Sequence, residues 1–176
     1  MSPNRHRIHR LVTSGLSRGV IAGALGTIAM DALWYRRYRN EGGNASPLNW
    51  EFHPQINSFD DAPAPAKVAK HIAVSLHVEL PDSSATASNN VMHWATGLSW
   101  GIAATLLHTM PRIRAFDAGL LASIAAFATS YTVLPRLHIY NKITDYDTTT
   151  LVKDLSAHLL FGATVGLVSS ITSQRD

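Results

Sequence analysis

The sequence contains no cysteine, which excludes disulfides, thiolate metal sites and a cysteine nucleophile. Charge is scarce as well. Asp, Glu, Lys and Arg make up 15% of the 176 residues, against roughly 25% in an ordinary soluble domain. Apart from Asp31, Arg175 and Asp176, that charge sits in 4–18, 36–82, 112–117 and 136–154, which leaves four long windows almost free of it. No sequence repeat is longer than a few helical turns, so a single domain over 1–176 is the natural count. The pI near 9.4 does not point to nucleic acid. The arginines flank apolar segments and neither line one polar helix nor alternate with stacking aromatics, so the expected anionic partner is the lipid bilayer. No His-Glu-x-x-His motif is present, and no Ser or Thr is set against a base in a recognisable pattern. No catalytic residue, metal site or cofactor is therefore assigned, and an enzyme is the less favoured class.

What the chain does have is membrane-length apolar stretches notched with small residues. In GLSRGVIAGALGTIAMDALWYRRY every fourth position reads Gly15, Gly19, Gly23, Thr27 and Asp31. On a helix these positions form one slowly drifting ridge, small along its length and acidic at its end. The same device recurs as His93, Gly97, Gly101 and Thr105, and again as Asp154, His158, Gly162, Gly166 and Ser170; Ala118, Ala122, Ala126 and Ser130 make an alanine version. In lipid, helices gain nothing from hiding apolar surface, and small residues at this spacing let backbones approach closely enough for van der Waals contact to replace that gain. The expected fold is all-α: an integral membrane four-helix bundle with small-xxx-small, glycine-zipper packing. Its spans are placed at about 16–36, 91–110, 117–134 and 151–171. Trp34, Tyr35 and Tyr38 with Arg36, Arg37 and Arg39 fit an aromatic and basic belt. An extramembrane loop over 40–90 joins spans one and two. Within it AKVAKHIAVSLHVEL reads as an interfacial amphipathic helix ended by Pro81, and 82–90 as a hinge.

Alternating spans bring the end of helix one, the start of two, the end of three and the start of four to a common leaflet. A polar intramembrane cluster of Asp31, His93, Tyr131, Asp154 and His158 is expected there, with Asp31 accepting a hydrogen bond from His93 or His158. The same groups suit a proton or ion pathway, and two imidazoles with one or two carboxylates suit a divalent ion. Orientation is balanced on the positive-inside rule, with seven basic residues on the N-terminal side, Arg5, Arg7, Arg10 and Arg175 among them, and eight on the other.

The stretches GVIAGALGTIAMDALWYRR, HWATGLSWG and LPRLHIYNKITDYDTTTLVKDLSAHLLFGATVG give the chain a resemblance. It resembles uncharacterised small bacterial four-helix inner-membrane proteins, loosely YagU-like. The resemblance implies a multi-pass protein of the bacterial cytoplasmic membrane and carries over no catalytic residues. The expected role is a structural or accessory helix-packing component, in a homo-oligomer or with another membrane protein. A small proton- or ion-linked transporter or channel and a metal-dependent membrane enzyme are the alternatives.

Overall fold

The computed structural model describes residues 3–52 and 56–173, with side chains over 15–52 and 56–172. The basic side chains Arg5, Arg7, Arg10 and Arg175 of the orientation count lie outside the described ones. Every regular element among the described residues is helical: α1 (Pro3–Asn40), α2 (Pro47–Phe52), α3 (Ala64–Ser75), α4 (Ala85–His108), α5 (Ala115–Thr132) and α6 (Thr148–Ser173), with short 3-10 turns between them. Three segments are long and apolar enough to cross a membrane, Gly15–Asn40, Ala115–Leu137 and Thr148–Thr172. The 24 residues of α4 would reach about 36 Å, a sufficient length. Its composition keeps it out of that set, because Asn89 and Asn90 stand before the apolar run that begins at Val91, and His93, Ser99 and His108 dilute it.

The chain divides into two compact units. The first takes α1 as far as Met30, Gly97–Ala128, and α6 from Thr148 onward; the second takes Asp31–Thr96 and Thr129–Asp147.

In the first unit, α1 buries Gly19, Ala22, Gly23, Gly26 and Thr27 and exposes Leu16, Val20, Ile21, Leu25 and Ile28. The buried set follows the i, i+3, i+4 spacing of one helix face, and every member is small. A Cβ on Gly23 would lie 2.7 Å from the Gly97 carbonyl oxygen and 2.9 Å from Leu98 Cα, and one on Gly19 would lie 2.7 Å from Ile102 Cα. Backbone therefore meets backbone between α1 and α4. Between α5 and α6 a Cβ on Gly166 would lie 2.7 Å from Phe116 Cα, and one on Gly162 would lie 2.6 Å from the Gly119 carbonyl oxygen. Phe161 and Val165 of α6 fill the space over Gly26, joined by Ala22, Ala104 and Ala122. Hydroxyls in these helices bond back to carbonyls one turn earlier, as Thr27 does to Gly23 (2.9 Å) and Thr105 to Gly101 (3.1 Å), which satisfies them without water.

The second unit is built on aromatic anchors and turns. Gly42, at φ +93°, ends α1, and the Gly43 N–H returns to the Tyr38 carbonyl (2.9 Å), the closing bond of a Schellman turn. Tyr38 Oη then accepts the N–H groups of Asn44 (3.1 Å) and Ala45 (3.0 Å), while Tyr35 Oη donates to the Ala45 carbonyl (3.0 Å). The loop is thus folded onto the helix it leaves. Phe59, Ala62, Ala66 and Ala85 form a small core with Ile56 and Leu80.

Three boundaries differ from the expectation, each for a local reason. Helix α3 stops at Ser75 and not at Pro81, because His77 turns left-handed (φ 59°) and the Val78 N–H closes on the Ala73 carbonyl (2.8 Å). Residues 85–90 are the first turns of α4 and not a hinge. Ala85 is drawn into the core beside Phe59, and Asp82 Oδ1 accepts the Phe59 N–H (3.3 Å). Helix α1 begins at Pro3, well before residue 16.

Candidate functional site

Asp31 is the last member of the small ridge on α1, and His93 opens the corresponding ridge on α4. The His93 Nε2 lies 3.0 Å from Asp31 Oδ1 and 3.1 Å from Oδ2. One imidazole nitrogen therefore straddles both oxygens of the carboxylate. The Asp31 side chain is 12% exposed and that of His93 30%, so the pair is partly shielded yet keeps an accessible imidazole edge.

A third ionisable group joins them. Glu51, next to the end of the six-residue α2, has a carboxylate oxygen that, with one ligand atom each from Asp31 and His93, forms a set lying within 4.8 Å of one another. Among the described residues this is the one such group of three. The position of Glu51 is over-determined. The Trp94 indole N–H donates to its Oε1 (3.0 Å), Asn90 Nδ2 donates to the Phe52 carbonyl (2.8 Å), and the Phe52 ring stacks on Trp94 (centroids 6.3 Å, 14° between planes). On the side toward α1, Trp50 packs against Tyr35 (5.6 Å) and Tyr38 (6.2 Å). Short helix α2 is thus pinned to α4 by one side and to α1 by the other, and the carboxylate is carried between them.

Burial pushes the Glu51 carboxyl above its ordinary value of 4.5, and the nearby Asp31 charge pushes it further; His93 and the Trp94 hydrogen bond act against both. Two carboxylates at this separation repel when both are ionised, and that repulsion is relieved by a proton or by a cation.

The remaining residues of the expected cluster are placed in two other settings. Asp154 and His158, one turn apart on α6 in the first unit, meet at 3.2 Å between His158 Nδ1 and Asp154 Oδ1, and the same nitrogen lies 3.0 Å from the Asp154 carbonyl oxygen. The Phe127 ring meets the His158 ring edge to face at 5.6 Å. Tyr131, buried in the second unit, packs with Tyr140 (5.7 Å) and Tyr146 (5.4 Å). Of the glycines, Gly19, Gly23, Gly97, Gly101, Gly162 and Gly166 sit at close backbone approaches, whereas Gly15 has nothing among the described residues within 4 Å of where a Cβ would stand.

Glu51 is the member that sequence reasoning passed over. Its only signal was the pair of aromatics around it, Trp50-Glu51-Phe52, in an otherwise polar loop. The chain matches no protein-family model, no curated protein and no solved structure.

Proposed function

We propose that the chain is a multi-pass protein of the bacterial cytoplasmic membrane, acting as a structural or accessory component that packs against a second copy of itself or another membrane protein. In this reading α1, α4, α5 and α6 are four spans of one bundle, and α3 lies along the interface with Ile72, Val74 and Leu76 exposed. The observation that carries it is the distribution of side-chain size in the first unit. Apart from Phe161 and Val165, the buried residues there are glycine, alanine, serine and threonine, while Ile21, Ile28, Leu121, Ile124, Leu167 and Ile171 face outward. In water each such exposed side chain forgoes about 1.5–3 kcal/mol of burial; in acyl chains it forgoes nothing. The bacterial setting rests on the resemblance carried by GVIAGALGTIAMDALWYRR.

The close-approach glycines are used within the chain, so contact with a partner falls to the outward faces. The absence of cysteine makes this directly testable. The full chain, expressed in bacteria, should sediment with membranes, resist alkaline carbonate extraction and require detergent for release. With Ile21→Cys or Ile28→Cys, oxidative cross-linking in those membranes should capture a second copy or a discrete membrane protein. A chain that stays monodisperse in detergent-free buffer overturns the membrane reading. Outward cysteines on α1, α5 and α6 that all fail to cross-link overturn the assembly reading.

A further inference from the structure

We propose that Asp31, Glu51 and His93 form a binding site for one divalent cation of the zinc type. The three residues come from three helices, α1, α2 and α4, yet their ligand atoms lie within 4.8 Å of one another. The separation of 3.0 Å between His93 Nε2 and Asp31 Oδ1 is close to the edge of roughly 3.0–3.4 Å between two donors that each stand about 2.0–2.1 Å from zinc. Two carboxylates and a neutral imidazole bring two negative charges, which a divalent ion balances and a single imidazolium does not. A nitrogen-and-oxygen donor set without thiolate suits borderline divalent ions and disfavours soft monovalent copper.

The surroundings also fit a metal centre. Trp94 donates to Glu51 Oε1, the kind of outer hydrogen bond that orients metal-binding carboxylates. One turn before His93 on α4, Asn89 carries a side-chain oxygen that is fully buried and has no hydrogen-bond partner among the described residues. Positions four apart on a helix share a face, so a spare oxygen donor lies one turn along the face that presents His93. Binding displaces the proton between His93 and Asp31 as the nitrogen turns from hydrogen-bond donor to ligand. Three protein ligands leave a coordination position for solvent.

This inference stands apart from the assembly reading: losing the cation would leave membrane residence and outward cross-linking untouched. The test uses the full-length protein in detergent, stripped with chelator and titrated with Zn²⁺, with bound metal counted by mass spectrometry and affinity measured by calorimetry. One Zn²⁺ per chain is expected. Glu51→Gln, which keeps the Asp31–His93 contact and the side-chain volume, should weaken binding at least tenfold; His93→Ala should abolish it, and His158→Ala should leave it unchanged. A wild-type chain that takes up no stoichiometric Zn²⁺, a Glu51→Gln variant that binds like wild type, or loss of binding in His158→Ala overturns the proposal. A variant that fails to fold does not protect it. The Co²⁺-loaded wild-type protein should show one paramagnetically shifted imidazole in its NMR spectrum, and a spectrum without that resonance is equally fatal.

Discussion

The first unit is small inside, save for Phe161 and Val165, and large outside; the second holds its interior with rings, turns and hydrogen bonds. In the first, Gly23 faces the backbone of Gly97 and Leu98 while Leu25 and Ile28 look outward. In the second, Phe59 is 1% exposed at the centre of a small core, and Tyr38 gathers the loop after α1 through its hydroxyl. The contrast is the one expected of a chain exposed to two solvents, in keeping with the membrane reading proposed above. Where surroundings are apolar, burying a large side chain gains nothing and contact area decides, so small residues go in. Where water is near, an aromatic ring repays burial and loop amides need partners. The ionisable trio of Asp31, Glu51 and His93 belongs to the second kind of region, in which charged groups are held by specific neighbours.

The comparison breaks most sharply at the helix contact. Gly23→Leu places a branched side chain where even a Cβ would meet the Gly97 oxygen at 2.7 Å. Overpacking against side chains costs about 1–3 kcal/mol, and against backbone that cannot give way the loss should exceed that range, visible as a collapse of the thermal transition in detergent. Phe59→Ala, at the centre of the other unit, should cost about 3–5 kcal/mol and raise the hydrogen exchange of amides around Ala66 and Ala85. Tyr38→Phe removes the acceptor for two loop amides and should cost about 1 kcal/mol, read as faster exchange at Asn44 and Ala45. The smallest effect belongs to Gly15→Ala, where no atom of the described residues opposes a methyl group; a helix interior gains about 0.5–1 kcal/mol from it. If Gly15→Ala destabilised as Gly23→Leu does, close backbone approach would not be what distinguishes these glycines.

Much of this was legible beforehand. Fourfold spacing of Gly19, Gly23 and Thr27, and of Gly97, Gly101 and Thr105, reads as a helix face because the α-helix repeats at nearly that interval. Placing Asp31, His93 and His158 at matching ends of those ridges left His93 or His158 as the partner of Asp31, and His93 is the one observed. Less visible was where elements stop. His77 adopts a left-handed turn with no glycine to announce it, and the Ser/Asn-rich stretch before α4 is helical because Ala85 docks beside Phe59. Two of the five polar groups expected to gather have short-range partners that the ridges did not announce: His158 reaches Asp154 along its own helix, and Tyr131 meets the rings of Tyr140 and Tyr146.

Sequence alone determined the helical class, three of the four expected apolar spans and the faces carrying small residues, because periodicity and hydropathy are properties of the local chain. Tertiary structure alone decided that Glu51 stands beside Asp31 and His93. No local pattern encodes that meeting, which depends on α2 being clamped through Trp50 to Tyr35 and Tyr38 and through Trp94 and Asn90 to α4. Residues 20 and 42 positions apart in sequence converge only when three separate helices have been fixed by their own contacts.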